Sequence, residues 1–175
     1  MTYWYVLFVR TGSEVKIKMS LEKILNTGHF VPFIPMTQNK VKFSGKVKKE
    51  KKAMFPGYVF IETNISSVEF KSAIYSARFY VKDIIRILRY GRTFDIVVKE
   101  SEREMLTGLL NNTYCVESSV GIIVGDKVYV SEGPLMGRES IIKRIDRHKK
   151  QAVIEMEFMG NIKRVVVGLE IVQKI

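Results

Sequence analysis

The sequence predicts an α+β protein in two parts: an N-terminal split-βαβ antiparallel sheet with helices, linked to a C-terminal five-stranded SH3-like β-barrel. Three observations predict it. Up to about residue 110, aromatic and β-branched runs alternate with stretches of helical periodicity. From 111 onward that periodicity vanishes, and short Val/Ile runs recur between turn signals at roughly ten-residue intervals. Finally, 46% apolar residues and 11% aromatics in 175 residues are enough to fill two small cores. The resulting division is a domain at 1–110, a linker at 111–119 and a barrel at 120–175.

The elements follow in order. "YWYVLFV" (3–9) is aromatic and β-branched, as a largely buried strand would be. Thr11 and Glu14 have the spacing of a capping box, which predicts a helix start. Ile17, Leu21, Ile24 and Leu25 then form one apolar stripe, and Gly28 supplies the stop. "FVPFIPMTQNKVKF" (30–43) and "AMFPGYVFIET" (53–63) read as the strands of a long hairpin, with "SGKVKKEKK" (44–52) as its charged tip. Asn64 is the expected cap of a short helix reaching Ser76, "DIIRIL" (83–88) is a strand, and Ser101 with Glu104 forms a second capping box. Met105, Leu106, Leu109 and Leu110 are that last helix's inner stripe. In the barrel the expected strands are "KVYV", "SIIKRI", "AVIEMEF", "KRVVVG" and "LEIVQKI", with Ile154, Met156 and Phe158 alternating against Val153, Glu155 and Glu157. The Val/Ile runs favour a barrel over a helical hairpin for this segment.

Charge narrows the function. Lys and Arg number 29 against 18 Asp and Glu, giving +11, a field that attracts a polyanion. Seven lysines lie between Lys40 and Lys52 against one glutamate, either as a solvated loop or as a polyanion contact. No apolar run approaches the ~18 residues of a membrane span, and the opening lacks the pattern of a signal peptide. The one cysteine, Cys115, sits outside any Cys/His cluster, so neither a disulfide nor a bound metal is expected, and a cytoplasmic location fits. His29 and His148 fall in different predicted domains without an obvious partner. "GIIVGDK" (121–127) has the wrong spacing for a phosphate loop and precedes a strand. A binding protein without cofactor is therefore expected, and not an enzyme.

Three stretches together resemble the NusG/RfaH family of bacterial transcription elongation factors: "WYVLFVRTGSE", "MFPGYVFIE" and "GDKVYVSEGPLMGRESIIKRID". The last resembles the family's KOW motif. The resemblance implies an N-terminal domain that binds the clamp helices of RNA polymerase through an aromatic sheet face, here Phe8, Phe55, Tyr58 and Phe60. In members similar to RfaH, basic residues touch displaced non-template DNA, which implies Arg10, Lys23 and Arg78 here. Two departures stand out. Ser140 replaces a usual glycine, and "FMGNIKRVVVGLEI" replaces a segment resembling F-G-R-x-T-P-V-E-L. That segment belongs to the family's surface for ribosomal protein S10 or Rho, so both partners are in doubt for this chain. It looks like a specialised antitermination paralogue of the LoaP type. The more basic C-terminal end, with Lys143, Arg144, Arg147, His148, Lys149, Lys150, Lys163 and Arg164, points to nascent RNA as a further partner. A monomer is expected, and the competing reading is a ribosome-associated or general RNA-binding KOW protein.

Overall fold

The computed structural model describes all 175 residues. Two compact units divide it, Met1–Ile34 with Phe55–Arg103, and Pro35–Met54 with Glu104–Ile175. Residues 35–54 thus group with the C-terminal strands and not with the segments that flank them in the chain.

The first unit is built on strands β1 (Tyr3–Val9), β2 (Phe30–Phe33), β5 (Tyr58–Thr63) and β6 (Ile84–Ile87), in the order β2-β5-β1-β6 with every pair antiparallel. Side chains alternate across β1. Tyr5 and Leu7 face the helical side, where Tyr5 stacks on Phe70 at 4.0 Å between ring centroids. Helix α1 (Glu14–Ile24) brings buried Ile17 and Leu21, and helix α2 (Ser67–Ala77) brings buried Phe70, Ile74 and Ala77. Ile24, expected in the first helix's stripe, is 42% exposed, and Leu25 beside it takes the buried place.

The helix starts differ from the sequence reading. At α1 the cap position is Ser13, with no side-chain cap bond, and Glu14 bonds the amides of Gly12 and Gly57. At α2 the capping box is Ser66 with Glu69, two residues beyond Asn64; both reciprocal bonds are made. The third helix, α3 (Glu100–Leu109), begins before Ser101. Its buried residues are Glu102, Leu106 and Leu109, while Met105 and Leu110 are half-buried.

In the second unit, the lysine-rich segment forms strand and not loop. β3 (Met36–Phe43) and β4 (Lys46–Ala53) pair antiparallel throughout, with only Ser44 and Gly45 left for the turn. Lys, Glu and Asn are poor strand formers by type, and a run of charges carries no periodicity that separates ribbon from loop, so the pairing is set by backbone hydrogen bonds that no local pattern announces. β7 (Cys115–Val116) adds to β3 in parallel.

The barrel has five strands in the order β10-β11-β12-β8-β9: β8 (Ser119–Val124), β9 (Lys127–Glu132), β10 (Ile142–Asp146), β11 (Gln151–Phe158) and β12 (Asn161–Lys174). The number agrees with the sequence reading, but the assignment differs. "KRVVVG" and "LEIVQKI" are one 14-residue strand, and the fifth is β8, whose first residue falls in the expected linker and whose remainder lies in the expected barrel where no strand was predicted. β12 pairs antiparallel with β11 along its first half and parallel with β8 along its second. Ala152, Ile154, Met156 and Phe158 point inward from β11 and meet Val165, Val167 and Leu169 in the core.

Candidate functional site

The sheet face of the first unit opposite its helices carries an aromatic row. The register sets Phe8 against Tyr58 and Val6 against Phe60, so the residues of β1 and β5 that point this way meet in pairs. Phe8 and Tyr58 meet edge to face at 6.2 Å, Phe55 stacks near Tyr58 and Phe60 at 5.9 and 6.0 Å, and Trp4 closes the row against Phe60 and Phe33. Phe8, Phe55, Tyr58 and Phe60 are therefore one cluster. Its layers differ in access: Phe60 is fully buried and Phe55 nearly so, whereas Phe8 and Tyr58 are half-buried. Arg86, opposite Phe8 on β6, holds its guanidinium 5.5 Å from that ring.

The turn that presents this row is held by a residue the sequence reading assigned elsewhere. Gly57 has φ +84°, and a Cβ there would lie 3.1 Å from the Phe8 ring and 3.2 Å from the Val9 carbonyl, so only glycine fits. Its amide donates 2.7 Å to the buried Glu14 carboxylate, whose other oxygen accepts from Gly12 at 2.8 Å. Glu14 thus ties the start of α1 to the Phe-Pro-Gly-Tyr turn. Neither the burial of Glu14 nor its bond to Gly57 has a local sequence signal, and its capping-box spacing with Thr11 assigned it elsewhere.

Of the residues expected to meet DNA, Arg10, Lys23 and Arg78 are all exposed. Arg78 lines an open groove of about 340 Å³ with Lys71, Tyr75, Arg86, Arg89 and Phe94. Arg10 and Lys23 are not among its walls. The grouping of Arg86 and Arg89 with Arg78 depends on β6 lying beside the end of α2, which no local pattern reveals.

In the barrel, Lys143, Arg144, Arg147, His148 and Lys149 are exposed on β10 and the β10–β11 turn. Asp146 accepts the Lys149 amide at 2.9 Å, and this bond holds its carboxyl below the usual range. Lys150, at φ +53°, is half-buried and pairs with Glu170 at 2.8 Å. Glu170 also takes Lys40 of β3 at 3.3 Å, and the two ammoniums, Lys150 first, keep its carboxyl below the ordinary value. Arg164 pairs with Glu155 at 3.1 Å, and Lys163 is half-buried. Lys143 and Arg144 also line an open groove of about 650 Å³ with Tyr129, Lys127 and Lys174. Burial pushes the Cys115 thiol up, away from reactivity.

Residues 2–106 match the family described as "Transcription termination factor nusG", and residues 124–155 match the KOW motif. The chain belongs to the NusG family. Curated NusG relatives, named "Transcription termination/antitermination protein NusG", align along nearly its whole length. That of Borreliella burgdorferi is 23% identical, covering 98% of both chains; that of Haemophilus influenzae is 24% identical, covering 98% of this chain and 94% of its own. A solved structure titled "Domain interaction in Thermotoga maritima NusG" aligns at a TM-score of 0.50 and 20% identity over 96% of this chain and 94% of that one, and supports the fold. Within this NusG-family chain, Ser140 falls in a short 3₁₀ helix (Glu139–Ile141) and is absent from the positive-φ positions, so the backbone there does not demand glycine.

Proposed function

We propose that this NusG-family chain is an elongation and antitermination factor. Its first domain, 1–110, docks on the clamp helices of bacterial RNA polymerase; beyond the linker at 111–119, the KOW barrel at 120–175 contacts nascent RNA. The observation that carries the reading is the half-buried pair Phe8 and Tyr58 on an aromatic row. An apolar patch left partly in water is characteristic of a partner surface, and Phe55 and Phe60 support it from beneath. The groove at Arg78, extended by Arg86 and Arg89, is the place for displaced DNA, since phosphate contacts need charge without base readout. The exposed basic residues from Lys143 to Lys149 suit an RNA backbone, whereas Lys150 and Arg164 are already engaged with carboxylates.

The factor acts in the cytoplasm without turnover, by binding one state of the polymerase more tightly than another. The LoaP-type departures favour RNA over ribosomal protein S10 or Rho at the barrel.

The test is transcription through a terminator by purified bacterial polymerase. Added protein should raise read-through, and the Phe8→Ala/Tyr58→Ala variant should lose both read-through and capture of the polymerase. Unchanged termination and pausing with the cognate leader RNA present would refute the proposal. Retained RNA binding without polymerase capture would instead establish a general RNA-binding KOW protein.

A further inference from the structure

We infer that the β3–β4 ribbon and the β10–β11 turn form one surface for the phosphate backbone of double-helical RNA. The inference rests on the barrel's proposed role in binding RNA and extends it to a part of the chain outside the KOW motif.

Register and alternation sort the ribbon's side chains. Lys40 lies directly opposite Lys49, Lys42 opposite Val47, and Gln38 opposite Lys51, so Lys40, Lys42, Lys49 and Lys51 share one face. Lysines two apart on a strand stand about 6.8 Å from one another, and directly opposed pairs about 5 Å. Like charges so placed repel. Lys42, Lys49 and Lys51 have no carboxylate within ion-pairing distance, since the ribbon's ion pairs are Lys52 with Glu50 and Lys40 with Glu170. A stretch of uncompensated charge held in strand geometry is suited to a ligand that supplies the counter-charge.

Glu170 joins this face to the barrel turn. Its carboxylate holds Lys40, midway along the ribbon, and Lys150 at the turn, so the lysine face is tied to the β10–β11 turn that carries Arg147, His148 and Lys149. Pairing of β3 with β7 through Met36 and Thr37 fixes the ribbon's base. The four-lysine face bears no aromatic residue, the ring of Phe43 lying on the opposite face under Lys48. Proteins that hold unpaired strands stack their bases on aromatic rings. A face with charge and no rings contacts backbone alone, as double-stranded RNA is contacted.

The experiment measures binding of the full chain to a mixed-sequence RNA duplex of about 16 base pairs, the span that double-stranded RNA modules cover, by fluorescence anisotropy across a salt series. A DNA duplex of the same sequence and a single RNA strand are run beside it. Two variants are compared, Lys42→Gln/Lys49→Gln/Lys51→Gln and Arg147→Gln/Lys149→Gln, each first checked for an unchanged circular dichroism spectrum and melting temperature. Both should bind the RNA duplex at least tenfold more weakly. The ribbon variant should also flatten the dependence of log K on log salt by about 0.9 for each phosphate it no longer neutralises. If the ribbon variant matches the wild type in affinity and slope while the turn variant fails, the ribbon inference is overturned and the barrel keeps its RNA. If the wild type binds no RNA at all, both are overturned. Equal or tighter binding to the DNA duplex or the single strand removes the assignment to double-helical RNA.

Discussion

Replacing Glu14 with alanine would leave the amides of Gly12 and Gly57 without the carboxylate they share. Losing a buried acceptor from two donors costs about 2–4 kcal/mol, and urea unfolding should register it as a lower midpoint with an unchanged slope. Glu14→Gln keeps one acceptor oxygen and should cost less. The same turn carries Phe55 and Tyr58, so the alanine variant should also weaken polymerase capture, beyond what its stability loss explains. At this scale the sequence was informative about residue type and less so about partner. Tyr58 and Phe60 are recognisable as same-face residues because strand periodicity is strict, whereas the cross-strand pairing of Phe8 with Tyr58 and Glu14's bond to a residue 43 positions away have no local signature. The burial of Phe60 beneath its neighbours likewise depends on the stacking of several strands' side chains.

Gly168 illustrates how an element can be misread. In sequence it separates two Val/Ile runs and looks like a turn; in the structure it lies within β12, where a Cβ would come 3.1 Å from the Gln38 carbonyl and closer still to the Ser118 side chain. Its role is to let two backbones approach. Gly168→Ala should therefore destabilise the second unit by about 1–3 kcal/mol, seen as a lower melting temperature, although alanine ordinarily favours an extended strand over glycine. Helices were legible where apolar spacing defines a face, as at Ile17 and Leu21, and their starts were not, because Thr11, Asn64 and Ser101 are as suitable by type as Ser66, the residue that does cap. The lysine ribbon was legible as a charged excursion and not as strand, since its pairing is fixed by β3's neighbours.

Across the whole molecule, the titrating groups predict how stability varies with pH. The carboxyls of Glu69, Glu139, Asp146 and Glu170 are all held below their ordinary values, mainly by hydrogen bonds from backbone amides or, for Glu170, from Lys150. A carboxyl depressed in the folded state stabilises it above the unfolded pKa, about 4.5 at most for these groups, and that contribution fades as pH falls through the folded values. Tyr90 is raised, first by burial and then by its hydrogen bond to Glu102, so the folded state loses stability as pH climbs past the ordinary tyrosine value of about 10. Urea midpoints measured across pH should form a plateau that falls on both sides; a flat acid limb would show that these carboxyl bonds do not persist in solution. The two-part α+β organisation was legible from periodicity and its disappearance after residue 110. The grouping of 35–54 with 104–175 was not, since it arises from contacts between segments far apart in the chain.

The 14-residue β12 gives the barrel one further property. Its first half is hydrogen-bonded to β11 and its second to β8, and both halves belong to a single uninterrupted backbone. The strand's place in the barrel is therefore set from two sides. The amides of Val165, Val167 and Leu169, buried between these two neighbours, should be among the slowest in the barrel to exchange with solvent deuterium, and exchange as fast as that of the β9 amides would show that the strand frays.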